Sequence, residues 1–383
     1  MRTYEQTHPW ISFRFNPRDL PYPVWILLGE ASMACTTLRQ LALPTPEAAL
    51  VNHVARLRGV VANASLDGNT LGTEQVDRLL EGSLHLPPSQ LFLEREVRNL
   101  LKAVEWTEAR TKAGDLDTGP WALQVLHAQL MKELPAGSAA QPGEFRTVRD
   151  GRHHTGVAPE EIPGLLDRLG AWTSGALFEP HHGEERLPLA ILRAAITHLY
   201  LLWAAPFAEG NGRTARMVEF QLLLNAGIPA AAAHCMSIHA AATNGEYHRQ
   251  VAQAATPTGD VSPFLAYLAR GFAEGVKDLV AKVVGAQHRI LAEDGLRHRV
   301  DPDGSPAGER LWRLAKALTG AHGTVPTAHV ARLTPDLAHD YARLNPKTLQ
   351  RDLAQLEALG VVVRNRGRVR ARPQELLPFT TGT

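Results

Sequence analysis

The segment from Leu187 to Asn225 constrains the fold of this chain more than any other. Leu189, Leu192, Ile196, Leu199 and Trp203 recur at steps of three and four residues, which marks one buried face of a helix. That run meets APFAEGNGRTAR, residues 205–216, and a second helix is expected from about Asn211 to Asn225, ended by Gly227 and Pro229. The fold must therefore hold a glycine-rich connection between two core helices, with the far end of the connection at a helix N-terminus. Hydrophobic residues make up 44% of the chain and aromatics only 6%, with Ala and Leu abundant, so the rest also reads as mainly α.

At 383 residues the chain has room for two or three domains, and its 21% of charged residues is ordinary for a soluble globular protein. Cys35 and Cys235 are too few and too far apart for a disulfide framework or a Cys-x-x-Cys metal site, and read as buried thiols in a reducing compartment. The start, MRTYEQTHPW, lacks the basic and apolar regions of an export signal. The most apolar stretch, Leu187 to Phe207, is interrupted by Arg193 and His198, so a cytoplasmic protein with no membrane span is expected.

Helices are expected between Pro46 and Leu101, separated by the turn-rich SLDGNTLG, with Thr73 as an N-cap. Trp121 to Leu134 has helical spacing. Beyond it the period is lost, and Phe145–Val148 and His153–Val157 flank Asp150-Gly151 as the arms of a tight β-hairpin. Further helices are expected over 244–255 and 263–292, and DPDGSPAG, 301–308, reads as a linker.

The glycine loop carries the chemistry. Gly210-Asn211-Gly212 can turn successive backbone N–H groups into one concavity, an anion nest, and the following helix adds the positive end of its dipole. Arg213 and Arg216, one turn apart, can reach phosphate oxygens from the same face, and Glu209 is a hard-oxygen ligand suited to Mg²⁺. GNGRTA formally matches the dinucleotide fingerprint, but a helix rather than a strand precedes it and no acidic residue follows at the required distance. The Gly-Lys-Ser/Thr ending of a P-loop is absent. Taken alone, GNGR is also compatible with a plain turn between helices whose arginines are solvated.

The wider stretch P-F-x-E-G-N-G-R-x-x-R resembles the signature of the Fic family, H-x-F-x-[D/E]-G-N-G-R-x-x-R, with seven of its eight fixed positions present. Fic proteins transfer AMP from ATP to protein hydroxyls. GEFR, 143–146, before the expected hairpin looks like the family's target-docking flap, and the resemblance covers roughly residues 50–290. It implies that Phe207 anchors the core, Glu209 binds Mg²⁺, Asn211, Gly212 and Arg213 hold the α- and β-phosphates with Gly210 in the nest, and Arg216 holds the γ-phosphate. The family's general base, a histidine, falls on Ala205. A methyl group accepts no proton, and loss of such a base costs ~10²- to 10⁴-fold in rate while phosphate positioning survives. Either the position was altered to trap a complex, or the protein is naturally degenerate and senses nucleotide. His198, two turns earlier, reads as a buried structural histidine, and His153 and His154 as surface residues.

ANASLDGNTL resembles the family's inhibitory helix, [S/T]-x-x-x-E-[G/N], whose glutamate pairs with the second motif arginine. Asn63 stands at the hydroxyl position and Asp67 at the glutamate, one methylene shorter, so its reach to Arg216 is in question; a solvated Asp-Gly-Asn turn is the equal alternative. ATNGEYHR, 242–249, resembles the helix that closes over adenosine, with Asn244 and Tyr247 offering an amide and a ring, although a tyrosine at that spacing also suits core packing.

The C-terminus is basic. Residues 346–383 hold seven Lys and Arg against Asp352, Glu357 and Glu375, an excess of four in a chain whose net charge is +1. Asn345 reads as an N-cap before Pro346, Leu349, Leu353 and Leu356 form an apolar stripe, and Gly360 ends the helix. Arg364, Arg366, Arg368, Arg370 and Arg372 then occur at every second residue, which in a β-ribbon is expected to place all five on one face, as a basic two-stranded wing. This resembles a winged helix-turn-helix domain with Arg310–Leu318 and Thr327–Leu333 as its earlier helices, and an inserted helix before the last one. Lys347, Arg351, Arg364, Arg366, Arg368 and Arg370 are the candidate DNA contacts over 346–372.

The expected organisation is an N-terminal helical region over 1–120, a Fic core over 121–295, a linker over 296–308 and a winged-helix domain over 309–383. The leading reading is a protein adenylyltransferase using ATP and Mg²⁺, with a Ser, Thr or Tyr hydroxyl of a target protein docked on the 145–157 flap, and impaired by Ala205. A nucleotide-sensing, DNA-binding regulator without transferase activity is the alternative. Transfer of a different moiety and assembly as a homodimer stay open.

Overall fold

The computed structural model describes residues 3–135, 141–148, 156–301, 303–321 and 323–372. These form two compact units, divided between Val283 and Val284. The expected hairpin turn, with Asp150, Gly151, His153 and His154, lies outside the described residues.

The first unit contains α1 (Tyr4–Thr7), α2 (Tyr22–Gln40), α3 (Thr45–Ser65), α4 (Thr73–Leu80), α5 (Leu91–Lys112), α6 (Pro120–Leu130) and α7 (Ile162–Thr173). It continues with α8 (Arg186–Ala204), α9 (Asn211–Asn225), α10 (Ala230–Ala233), α11 (Cys235–Ala242), α12 (Asn244–Ala254) and most of α13 (Ser262–Val300). α8 is the axis. Its stripe Leu189, Leu192, Ile196, Leu199 and Trp203 is buried, as are Ile191, Ala194, Ala195, Tyr200 and Leu201 around it, the pattern of a helix enclosed on every side. The stretch Gly183–Ala204 is long and apolar enough to cross a membrane, yet most of it is buried in this bundle. α9 packs along α8, with α2 and α7 against α8, and α5 and α6 against α9. α3 packs on α5 and α11, so the N-terminal helices share one core with the glycine loop.

Local chemistry sets most boundaries. α9 has the predicted limits, starting where Gly210 takes a left-handed backbone and ending before Gly227 does so. Thr73 is the first residue of α4 and not its cap: the Gly72 N–H is bonded by Gln75 Oε1. The described flanks of the expected hairpin, 145–148 and 156–157, carry no assigned strand, and the Arg146 N–H is donated to Pro206 O rather than across a ladder.

The second unit contains the end of α13, α14 (Pro306–Gly320), β1 (Val325–Pro326), α15 (Thr327–Val330), α16 (Pro335–Ala342), α17 (Pro346–Ala358), β2 (Val362–Asn365) and β3 (Arg368–Ala371). α13 runs beyond the expected 292, and the part of the expected linker that is not helical, between Val300 and Pro306, is a short loop inside the second unit. Ser305, Thr334 and Asn345 accept bonds from Gly308, Leu337 and Lys347 N–H and cap α14, α16 and α17. Leu311, Leu314, Leu337, Leu353, Leu356, Val362 and Val369 make its core, under an antiparallel sheet of order β1-β3-β2. α16 is the additional helix expected before the last one.

The arginine row is reorganised by a turn. Arg366 and Gly367 both have positive φ and reverse the chain, with Asn365 opposite Arg368 and Arg364 opposite Val369. Cross-strand partners share a face, so Arg364 lies on the face of buried Val369 while Arg368 and Arg370 lie on the other. The single five-arginine face expected from alternation does not form, because alternation holds along one strand and not around a two-residue turn.

The central packing predicts that Leu199→Ala, at a position with no solvent exposure, costs about 2–5 kcal/mol of stability. Urea unfolding should show a lower midpoint at an unchanged slope.

Candidate active site

The loop between α8 and α9 is shaped by its own backbone. α8 ends at Ala205, which has φ 42° and ψ 61° and donates its N–H to Leu201 O at 3.0 Å. A left-handed alanine costs about 1–2 kcal/mol, so neighbouring contacts must impose it. Asn211 then folds back on Phe207, its Oδ1 accepting from Phe207 N at 2.9 Å and its Nδ2 donating to Phe207 O at 2.7 Å. The Asn211 amide, assigned to phosphate by resemblance, is thus engaged at both ends in closing the loop. Gly210 must be glycine on two counts: its φ is 75°, and a Cβ there would lie 2.6 Å from Met131 Sδ.

At the start of α9, Gly212 presents a bare face. A Cβ on it would lie 2.9 Å from Arg216 Nη1 and 3.1 Å from Asp67 Oδ1. Asp67, in the turn after α3, therefore occupies the concavity above the helix N-terminus. Its Oδ2 accepts from Arg216 Nη2 at 2.8 Å and lies 3.1 Å from Arg213 Nε, close enough for an ion pair but misaligned for a hydrogen bond. Arg216, only 2% exposed, also donates from Nε to Asn63 Oδ1 at 2.9 Å and from Nη2 to Asn63 O at 3.0 Å. Asparagine at the hydroxyl position thus serves the arginine directly, and the shorter carboxylate reaches it. Burial works most strongly against the charge of Arg216, and the Asp67 carboxylate and the Tyr247 hydroxyl together outweigh it, holding the guanidinium above its usual value.

Glu96 on α5 completes the cluster and carries no sequence signature. Its Oε1 lies 2.9 Å from Arg213 Nη1, and its Oε2 accepts from Asn69 Nδ2 at 2.7 Å. Burial pushes its carboxyl up, against the opposing pull of Arg213.

Behind Arg216, Tyr247 is buried and its hydroxyl lies 2.9 Å from His198 Nε2, while His198 Nδ1 lies 2.5 Å from Glu219 Oε2. Burial raises the Tyr247 phenol to about 12. Tyr247 holds the core position its spacing allowed, and His198 is the buried histidine expected. Asn244 is exposed at the first residue of α12.

On the other side of the loop, His127 was not singled out by sequence. Its ring stacks on Phe207 at 3.7 Å with an interplanar angle of 1°. Its Nδ1 accepts from Gly143 N at 2.9 Å, so Nε2 carries the proton and donates to Glu209 O at 3.0 Å. Arg146, 5% exposed, donates from Nε to Ala205 O at 2.7 Å and from Nη2 to Val157 O, tying both described flanks of 149–155 to the end of α8. Glu209 is partly exposed, and no group of three metal-binding side chains occurs among the described residues. A single carboxylate suits Mg²⁺ whose remaining ligands are phosphate and water.

In the second unit Lys347 and Arg351 are exposed on α17. Arg364 pairs with Glu357 at 3.1 Å, and Arg368 is bonded to Thr324 through Oγ1 and O. Arg366, in the turn, and Arg370, on β3, are exposed.

His127 generates a pH prediction. Burial lowers its pKa to about 4, below the ordinary ~6.5 of the unfolded chain. Between these values the unfolded state binds the proton first, so stability present above pH ~6.5 falls by up to about 1.4 kcal/mol per pH unit as acid is added. His127→Gln should flatten that part of the acid limb in urea titrations between pH 7 and 4.

Residues 117–223 match the family model described as Fic/DOC family. The protein adenylyltransferase fic-1 of Caenorhabditis elegans is 24% identical over 261 residues, 67% of this chain and 47% of its own length. The protein adenylyltransferase Fic of Nematostella vectensis is 24% identical over 214 residues, 54% of this chain and 44% of its own length. The chain thus spans a little under half the length of these relatives. Among solved structures, a Fic family protein from Desulfovibrio desulfuricans G20 aligns with a TM-score of 0.56 at 18% identity, covering 94% of this chain and 98% of the other. C. elegans Fic-1 aligns with a TM-score of 0.52 at 21% identity, covering 69% and 74%. The loop of residues 205–216 lies inside the matched stretch, and residues 117–223 of the chain are a Fic/DOC family domain.

Proposed function

We propose that the first unit is a nucleotide site of the protein adenylyltransferase type, held closed by Asp67 and lacking its proton acceptor. The observation that supports this most is the Asp67 carboxylate above Gly212, between Arg213 and Arg216. An internal anion sits where a nest, a helix dipole and two guanidiniums favour negative charge, so a phosphate competes for a site already shaped for it. On this reading the backbone at Gly210–Gly212 and Arg213 take the α- and β-phosphates, Arg216 takes the γ-phosphate, and Glu209 shares Mg²⁺ with them. Asn63 and Asp67 are inhibitory because they keep Arg216 occupied, and Asn244 on α12 is left to meet the base.

In the transfer, a Ser, Thr or Tyr hydroxyl oxygen of a target protein, docked along 145–157, bonds to the α-phosphorus. The bond from that phosphorus to the bridging oxygen breaks and pyrophosphate leaves. The hydroxyl proton must be taken at residue 205, and Ala205 takes none. Binding and orientation are retained while proton transfer is lost, so the chain as written binds nucleotide and transfers slowly.

A second reading rests on the other unit. Helix, strand, three helices and a two-stranded wing follow in winged-helix order, and Lys347 and Arg351 on α17 with Arg366 and Arg370 on the wing are exposed. We infer that this surface suits DNA, and that a cytoplasmic, nucleotide-sensing regulator is the function if residue 205 is naturally alanine.

Asp67→Gly should tighten ATP binding about tenfold by calorimetry and Arg216→Ala should abolish the gain; unchanged affinity in Asp67→Gly removes the inhibitory role. Ala205→His together with Asp67→Gly should place label from α-labelled ATP on protein, at a rate ~10²-fold or more above Asp67→Gly alone. If no label appears and a duplex shifts in an ATP- or ADP-dependent, steeply salt-dependent manner, the regulator reading holds instead.

A further inference from the structure

Two acids meet the two arginines of the loop, and they are not equivalent. Asp67 contacts both, through a bond to Arg216 and an ion pair to Arg213. Glu96 contacts Arg213 alone, at 2.9 Å. It comes from the second turn of α5 rather than from the turn after α3, so departure of Asp67 does not carry it away.

The position of Glu96 is built. It is 7% exposed, and Asn69, which bonds its Oε2, is itself anchored by donating to Leu93 O at 3.1 Å and by accepting from Leu71 N at 3.0 Å. The carboxylate is therefore aimed at Arg213 by one hydrogen-bonding group, the Asn69 amide, which is itself anchored at both ends, unlike an exposed pair whose geometry is loose. A buried charge of this kind stays ionised only through its partners, and burial already raises its carboxyl. With both acids in place the two guanidiniums face two carboxylates. With Asp67 gone, Arg216 is left to Asn63 while Arg213 keeps Glu96.

We propose that Glu96 is a second, separately acting competitor for phosphate, one that holds Arg213 and so sets affinity for the diphosphate portion shared by ADP and ATP. This rests on the nucleotide reading above. Asp67, through Arg216, bears chiefly on the γ-phosphate that distinguishes ATP from ADP. Glu96 does not discriminate between the two nucleotides. Full opening of the site then requires two releases, and relief at Asp67 alone gives a site that prefers ATP but binds its inner phosphates through a tethered arginine.

The test measures ADP and ATP binding by calorimetry, with Mg²⁺, to the full chain, Asp67→Gly, Glu96→Gln and the double variant. Glutamine keeps an oxygen for Asn69 and removes the charge. Glu96→Gln should lower Kd for ADP and ATP by the same factor, about five- to tenfold, whereas Asp67→Gly lowers it more for ATP, and the double variant should show both effects. A merely structural Glu96 predicts a lower melting temperature with Kd for both nucleotides unchanged or raised, and that result overturns the inference. Should the glutamine variant fold poorly, Glu96→Met, which fills the space without charge, must show the same equal tightening or the inference also falls. Binding by Asp67→Gly with no response at residue 96 refutes this inference alone. Absence of ADP and ATP binding in all four proteins refutes the nucleotide reading itself.

Discussion

Two guanidinium groups one helical turn apart, over a residue with no side chain, repel each other and cannot be buried without anions. Arg216 is almost wholly enclosed, so the chain must supply an anion from within or take one from a ligand. That requirement orders much of the first unit. α3 must end beside the start of α9 to deliver Asn63 and Asp67, and α5 must cross them to deliver Glu96. The N-terminal helices belong to the same core as the loop for this reason, rather than forming a detachable module in front of it. The same contact makes the site two-sided: what stabilises the empty protein is also what a phosphate has to displace.

Around this charge cluster the loop is held in shape by a second set of contacts. Asn211 closes the turn on Phe207, His127 stacks beneath Phe207 while bonding Glu209 O, and Arg146 binds the carbonyl oxygens at the end of α8. Apart from the stacking on the Phe207 ring, these contacts run through main-chain atoms on the loop side. Loop shape therefore depends on few of the side chains that would face a ligand, and a site can lose a reacting group while keeping its form.

The helices around the loop and the limits of α9 were legible because helical periodicity and glycine punctuation are local signals. Asn345 as a cap and α16 as an inserted helix were legible for the same reason. Asp67 could be placed opposite Arg216 from its motif, but its reach depends on where α3 ends against α9, a tertiary quantity. Glu96 and His127 left no trace, since each acts on a partner remote in sequence and each sits in a helix where its residue type is unremarkable; Arg146 stood in the GEFR stretch, but its hold on the end of α8 is a long-range contact that the stretch does not announce. Tyr247 shows the limit from the other side: a ring at that spacing suits both a ligand and the core, and only burial decides. The arginine row failed because a two-residue turn changes which residues share a face, and nothing in an alternating pattern announces a turn at Arg366-Gly367.

The left-handed backbone at Ala205 has a consequence beyond strain. Its amide is fixed by Leu201, its carbonyl by Arg146, and the following Pro206 carbonyl by the Arg146 amide. None of these anchors involves the methyl group. The direction in which the Cβ points is thus a property of the scaffold, and any side chain introduced there inherits an aim already established before it has a reaction to perform.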